Sequence, residues 1–271
     1  MKMDKMTTVK IRARKGREKI VALTAYDFFT AKFLDSVGID MLLVGDSVNM
    51  VLYGKPDTLS ATMDIMLAHT EAVASAAVRS LVVADMPFLS YQVSWEEAVR
   101  NAGRFLKESG AAAVKLEGGC EIAPLVSRLV GMGVPVLGHI GVQPQSYHKY
   151  GGYCLQGETE ESREYLLKSA RSLEEAGVFA IVLEKVEANF TKVITDTVSV
   201  PTIGIGSGPF CDGQILVVND ILGMFDGFKP RFARQYDDFR SRIKDAASRF
   251  ARDVREGRFP EKKESFFEEE G

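Results

Sequence analysis

The protein has 271 residues, with 34 lysines and arginines against 37 aspartates and glutamates, which gives a formal net charge of -3. Hydrophobic residues make up 46% and charged residues 26% of the chain, which are ordinary proportions for a globular protein and exclude disordered, collagen-like and disulfide-scaffold classes. The charge balance disfavours nucleic-acid binding, which needs a surplus of Lys and Arg, and no uninterrupted run of about 20 apolar residues predicts a membrane span.

The N-terminus and the cysteines indicate a cytosolic protein. Residues 1–6 carry charges where a signal peptide needs an apolar run of about 7–15 residues. The three cysteines, Cys120, Cys154 and Cys211, have neither CxxC nor zinc spacing, which is typical of free thiols in a reducing compartment. We interpret the basic run at residues 10–17 as a solvated connecting segment, and residues 1 to about 15 as an N-terminal lead-in.

Short β-branched runs, bounded by Gly, Pro or an acid, recur along the chain and predict strands. In order they are Ile20–Thr24, Met41–Gly45, Leu81–Asp85, Ala113–Glu117, Pro135–His139, Ala180–Glu184, Pro201–Gly206 and, more weakly, Ile215–Val218. The runs are nearly continuous rather than alternating, as parallel strands buried on both faces require.

Helical patterns separate these strands. They cover Thr62–Val78, Ser94–Ser109, Thr159–Ala176 and Glu187–Val198. Strands that alternate with helices predict an α/β protein with a single (β/α)8 TIM barrel over residues 1–271, and a doubly wound open sheet is the alternative. A charged amphipathic pattern at Tyr236–Glu256 predicts a C-terminal helical extension, and we expect residues from about 258 to 271 to form a flexible tail.

The residues at the strand ends carry the functional signal. Five consecutive predicted strands end in Asp46 and Ser47, Asp85, Lys115 and Glu117, His139, and Glu184. Barrel enzymes place their chemistry at the carboxyl ends of the strands, so these side chains are predicted to meet at one mouth. The alternative is that each acid only caps the helix that follows it.

Asp46, Asp85 and Glu117 form a candidate metal site. All three supply hard oxygen ligands, which suit Mg2+ or a similar cation rather than zinc. Without a cation, three carboxylates in one pocket repel one another. The alternative is a cluster that is protonated or paired with arginine.

Lys115 and Glu117 are one residue apart on a strand, so both are predicted to face the barrel interior. Lys115 is then suited to bind an anionic substrate such as the carboxylate of a keto acid, although a counter-ion for Glu117 has the same geometry. Glu184 ends an apolar strand and is suited to proton abstraction. A lone histidine such as His139 is more often a structural donor than a catalyst.

A hard metal, a lysine and a carboxylate base suit removal of a proton next to a metal-bound carbonyl, which gives an enolate stabilised by the cation. The reaction can stop at isomerisation, or it can form or break a carbon–carbon bond. Spacing alone leaves these alternatives open.

Motifs in a fixed order resemble the ketopantoate hydroxymethyltransferase family from about Thr8 to Phe266. They are Thr24–Asp27, Val44–Ser47, Ala84–Phe88, Val114–Gly119, Gly138–Gln145, Pro201–Gly206 and Asp212–Gln214. The resemblance implies a TIM barrel that transfers a hydroxymethyl group from 5,10-methylenetetrahydrofolate to 3-methyl-2-oxobutanoate. The products are 2-dehydropantoate and tetrahydrofolate, in the synthesis of pantothenate, a coenzyme A precursor.

The resemblance also implies roles for individual residues. It assigns Mg2+ binding to Asp46, Asp85 and Glu117. It assigns keto-acid binding to Asp46, Ser47, Asp85 and Lys115. Glu184 matches the family's proton acceptor, and His139 matches a pocket histidine without an assigned role. The family further implies a homodecamer.

Two rival functions follow from the same pattern. One is a Mg2+-dependent carbon–carbon lyase of the isocitrate lyase and phosphoenolpyruvate mutase type, although we find no catalytic cysteine or comparable loop motif of that class. The other is a barrel that has lost its activity, which predicts a gap among the metal, lysine and base positions, and the sequence has none.

Overall fold

A computed structural model of the protein describes residues 5–225, 227 and 230–267. Within these residues, eight parallel strands close into a barrel in chain order, with β1 paired to β8. The strands are β1 (Ile20–Thr24), β2 (Met41–Val44), β3 (Leu81–Asp85), β4 (Ala113–Glu117), β5 (Val136–Gly141), β6 (Ala180–Glu184), β7 (Thr202–Ile205) and β8 (Gly213–Leu216). The predicted TIM barrel is therefore confirmed, and the open-sheet alternative is wrong.

α-Helices separate the strands except between β7 and β8, which follow each other without an intervening helix, and a further helix precedes β1. The helices are α1 (Thr8–Ala13), α2 (Phe28–Ser36), α3 (Val48–Val51), α4 (Met63–Ala76), α5 (Trp95–Lys107), α6 (Ala123–Gly131), α7 (Tyr147–Tyr150), α8 (Glu160–Glu175), α9 (Ala188–Thr197), α10 (Val218–Ile221) and α11 (Phe239–Arg255). Side chains of Thr62, Ser94 and Thr159 accept hydrogen bonds from the first turns of α4, α5 and α8, so local capping sets where these helices begin.

The chain divides into two compact units, Met1–Val218 and Asn219–Gly271. The first contains the whole barrel, and the second contains the predicted C-terminal helix α11 and a 3-10 turn at Lys262–Glu264. A single domain over the whole chain stays a prediction. Residues 1–4 of the expected lead-in and 268–271 of the expected tail lie outside the described residues.

The basic segment near the N-terminus differs from its prediction as a solvated connection. Ile11 of α1 is fully buried and belongs to the same core cluster as the inward side chains of the strands. Arg14 pairs with buried Asp40 at 2.7 Å, and Lys15 pairs with Asp212 at 2.9 Å. Burial of Ile11 and the two ion pairs therefore hold α1 against the start of the barrel.

The inward-facing side chains of the barrel change from apolar to charged along its axis. At the start of the strands the inward positions are apolar, as with Ala113 on β4 and Leu137 on β5. Two residues later the inward positions are Lys115 and His139. The apolar layer stabilises the barrel from within, and the charged layer lies at the carboxyl ends of the strands.

No helix among the described residues is long and apolar enough to cross a membrane.

Candidate active site at the carboxyl ends of the strands

Three buried carboxylates lie together at the carboxyl ends of neighbouring strands. Asp46 follows β2, Asp85 ends β3 and Glu117 ends β4, and one oxygen atom of each lies within 4.8 Å of the others. They converge because parallel pairing joins β2 to β3 and β3 to β4. The structure thus brings together the three residues that the sequence predicted as metal ligands.

Lys115 is the cation next to this cluster. Strand register pairs it with Asp85, and its Nζ lies 2.6 Å from Asp85 Oδ1 and 3.6 Å from Glu117 Oε1. Burial lowers the pKa of Lys115, but the three carboxylates outweigh this effect and raise the pKa above its usual value. Lys115 is therefore charged, and it shares the interior face of β4 with Glu117.

Burial and mutual repulsion oppose full ionisation of the three carboxylates. Burial raises the pKa of Asp46 well above its usual value, and repulsion from Asp85 and Glu117 raises it further. Burial also raises the pKa of Asp85. For Glu117, burial is outweighed by nearby positive charge, and the pKa is lowered. Three hard oxygen donors that resist ionising together without a cation fit a hard divalent cation.

His139 lies between Glu117 and Glu184. Its Nδ1 is 3.6 Å from Glu117 Oε1, and its Nε2 is 3.3 Å from Glu184 Oε2. Burial and the charge of Lys115 lower the pKa of His139, but the two carboxylates outweigh them and raise it to about 9. The imidazole is thus cationic at neutral pH and connects the acidic cluster to Glu184.

Glu184 is the more accessible of these acids. Its side chain is 15% exposed, compared with 2% for Glu117. A carboxylate that is near a buried cation and still open to the mouth can accept a proton from a molecule bound there.

The backbone around Glu184 is fixed from both neighbouring strands. The N–H of Val142 donates to Glu184 O at 2.8 Å. The preceding residue is Gly141, whose φ is +95° and at which a Cβ atom would lie 2.2 Å from Glu184 O, so only glycine allows this approach. From the β7 side, Ser207 Oγ donates to Leu183 O at 2.7 Å and accepts from the N–H of Val186 at 3.0 Å.

Ser47 directly follows Asp46 and precedes α3. Its Oγ lies 2.8 Å from the hydroxyl of the buried Tyr26. The structure therefore places the predicted substrate-binding serine next to the acidic cluster in the chain, with its hydroxyl oriented by a tyrosine that the sequence analysis did not assign.

Tyr153 is a further residue that the sequence analysis missed. Burial raises the pKa of Tyr153 to about 12, and the negative charge of Glu184 is the next largest cause. Lys185 Nζ donates to the backbone carbonyl of Tyr153, and the N–H of Gln156 donates to Lys185 O at 2.9 Å. These bonds hold the segment after α7 against the residues that follow Glu184.

Gln145 and Tyr91 are also part of the site. Gln145 Nε2 donates to Asp46 Oδ2 at 3.0 Å, and Tyr91 Oη lies 2.9 Å from Gln145 Oε1. Both residues are uncharged and neither ends a strand, so the strand-end pattern gave no signal for them. For Gln145 the available signal was its place in the Gly138–Gln145 motif.

Comparison with known proteins identifies relatives. Residues 5–262 match the sequence profile of the family described as ketopantoate hydroxymethyltransferase. A relative from Staphylothermus marinus, named 3-methyl-2-oxobutanoate hydroxymethyltransferase, is 52% identical over 98% of this chain and 97% of its own length. A relative of the same name from Syntrophobacter fumaroxidans is 51% identical over 95% of this chain and 91% of its own.

Among solved structures, a phosphonopyruvate hydrolase in complex with oxalate and Mg2+ superposes with a TM-score of 0.59. It is 16% identical, and the match covers 96% of this chain and 93% of that one. Similarity at this level of identity shows that the fold is shared.

The position of Lys115 predicts the effect of removing its charge. Lys115→Met leaves three buried carboxylates without their neighbouring cation, so we expect the free energy of unfolding to fall by about 3 kcal/mol or more in metal-free buffer. Urea denaturation followed by circular dichroism measures this change. Lys192→Met is the matched control, because the side chain of Lys192 is 56% exposed and pairs with Asp196 on the surface of α9. Equal losses in the two variants would contradict the role of Lys115 in charge compensation.

Proposed function

The chain belongs to the ketopantoate hydroxymethyltransferase family, and from this premise we propose that it transfers a hydroxymethyl group from 5,10-methylenetetrahydrofolate to 3-methyl-2-oxobutanoate. One water is consumed, and the products are 2-dehydropantoate and tetrahydrofolate. The observation that carries the proposal is the arrangement of a buried acidic cluster, a charged lysine and an accessible glutamate at one end of the barrel. Such a site suits formation of an enolate from a keto acid.

The proposal assigns Mg2+ to Asp46, Asp85 and Glu117. The fit rests on their three buried hard oxygen donors, which lie within 4.8 Å of one another, and on the repulsion that opposes their ionisation without a cation. When bound, Mg2+ supplies positive charge to the carbonyl and carboxylate oxygens of the keto acid.

Lys115 and Ser47 bind and orient the keto acid in this proposal. The Lys115 ammonium is held rigidly, because Asp85 Oδ1 lies 2.6 Å from Nζ, and it offers a fixed positive charge to an anionic substrate. Ser47 contributes a hydroxyl that Tyr26 orients. Asp46 and Asp85 line the same pocket as members of the acidic cluster.

Glu184 is the proposed base. It removes the proton from C3 of the keto acid, and the electron pair of that C–H bond then forms the new carbon–carbon bond to the methylene carbon of the folate. In the net reaction both C–N bonds of that carbon break, and their electron pairs stay on the two folate nitrogens. Water supplies the hydroxyl group, and the nitrogens gain two protons, which balance the remaining water proton and the one lost from C3. His139 Nε2 lies 3.3 Å from Glu184 Oε2, so the imidazole is directly beside the proposed base. After the transfer Glu184 carries the proton at a carboxylate oxygen.

The cytoplasmic location and the homodecameric assembly belong to the same proposal. The assembly follows from the family resemblance, and the location is supported by the three free cysteines.

The transfer itself is tested by a product assay. We expect 2-dehydropantoate to form only when 3-methyl-2-oxobutanoate, 5,10-methylenetetrahydrofolate and a divalent cation are all present. EDTA should abolish the reaction, and excess Mg2+ should restore it, because the cation is bound reversibly by side chains. Product detected by mass spectrometry with each component omitted in turn checks this dependence. Cleavage of 2,3-dimethylmalate without folate, together with no transfer, would instead support the lyase alternative.

The role of Glu184 is tested by exchange of the C3 hydrogen of 3-methyl-2-oxobutanoate for deuterium, followed by NMR in D2O with Mg2+. We expect exchange in the wild type and a loss of about 100-fold or more in Glu184→Gln, because the amide cannot accept the proton. Glu187→Gln is the matched control, since the Glu187 carboxylate instead accepts N–H bonds from Asn189 and Phe190 of α9.

A Glu184→Gln variant that exchanges at the wild-type rate would exclude Glu184 as the base. If the wild type shows no exchange alone but does so when tetrahydrofolate is added, folate binding precedes proton removal and the comparison is repeated with folate present. Wild-type protein that is silent under both conditions would contradict the assigned substrate.

A further inference from the structure

Gln145 contacts two carboxylates of the acidic cluster through different groups. Its side-chain Nε2 donates to Asp46 Oδ2 at 3.0 Å, and its backbone N–H donates to Glu117 Oε2 at 3.0 Å. Gln145 lies in the 3-10 turn Pro144–Ser146 that follows β5, and its side chain is buried. One residue from outside the cluster therefore fixes two acids that come from different strands.

The orientation of the Gln145 amide follows from its partners. Nε2 also lies 2.9 Å from the backbone carbonyl of Met86, and a carbonyl and a carboxylate can only accept. The NH2 group must therefore point toward Asp46 and Met86. This leaves Oε1 as an acceptor for the hydroxyl of Tyr91 at 2.9 Å and the side-chain amide of Gln92 at 3.3 Å.

Tyr91 fixes the Gln145 amide through its hydroxyl group. It is buried, and its hydroxyl also lies 3.0 Å from Glu117 O and accepts from the N–H of Glu117 at 3.2 Å. The phenol thus holds both the Gln145 amide and the backbone of β4 where Glu117 begins its turn toward the mouth. The two carboxylates and their supports form one connected hydrogen-bond network.

We infer that Gln145 is a positioning residue that holds Asp46 and Glu117 in the orientation required to bind a divalent cation, with Tyr91 fixing the amide. Each of the two carboxylates has one oxygen bound by Gln145. Without these bonds, repulsion within the cluster favours rotation of the carboxylates away from one another. Outer contacts of this kind orient the ligands of a metal and change its affinity. This role rests on the proposed metal site.

The test measures binding of Mn2+ alone to the full-length protein, by electron paramagnetic resonance of the free ion. Gln145→Met keeps the length of the side chain and the backbone bond to Glu117 but removes the donor to Asp46. We expect Mn2+ to bind roughly 10- to 100-fold more weakly than to the wild type. Tyr91→Phe, which removes only the hydroxyl behind the amide, should weaken binding about fivefold.

Gln143→Met is the matched control. Gln143 is a buried glutamine in the same segment, its Oε1 accepts from Ser146, and its Nε2 has no hydrogen-bond partner among the residues that the structure describes. A merely structural effect of replacing a buried amide should appear as a changed melting temperature, which is measured for both variants. Only Gln145→Met should also change the affinity for Mn2+.

The outcomes separate the two proposals. Wild-type protein without a saturable Mn2+ site would contradict the metal site itself. Wild-type binding that Gln145→Met leaves unchanged would contradict the positioning role while the metal site stands. If Gln145→Met fails to fold, Tyr91→Phe decides, and unchanged affinity in that variant overturns the role.

Discussion

The acidic cluster of Asp46, Asp85 and Glu117 sets the electrostatic constraint on the rest of the site. Carboxylates that are buried within 4.8 Å of one another lose hydration and repel, which is unfavourable for folding. Lys115 offsets part of this cost at 2.6 Å from Asp85. Cationic His139 lies beside Glu117, and Gln145 donates hydrogen bonds to two members of the cluster. If all three carboxylates are ionised, one negative charge remains after Lys115 and His139, and a bound cation would compensate it.

The barrel can accommodate the cluster because strands such as β4 begin with apolar inward residues, which stabilise the fold, and end with charged ones. The same strand that contributes Ala113 to the apolar interior contributes Lys115 and Glu117 further along. Strand register then decides which charges meet, pairing Lys115 with Asp85 and His139 with Glu117. Tight contacts at Gly141 and Ser207 fix the backbone around Glu184, so the proposed base is held by its neighbours on both sides.

The strand-end residues could be predicted from the sequence because parallel strands in a barrel must end at the same edge. Gln145 could not be found in this way, since its partners come from three separate strands and a neutral amide in a turn has no periodic signal. The segment with Ile11 was misinterpreted because one apolar residue among cations does not reveal burial. The last strand begins at Gly213 rather than at Ile215, because strand pairing with β1 extends to residues of low strand propensity.

A crystal structure of the protein grown with Mn2+ tests most directly whether a cation completes the charge balance of the site. Anomalous scattering locates the ion independently of the protein. We predict one strong peak within about 2.5 Å of a carboxylate oxygen from each of Asp46, Asp85 and Glu117. If no peak appears there at a saturating concentration of Mn2+, the three carboxylates are balanced by Lys115 and protons alone. That result would contradict the claim that a cation completes the site.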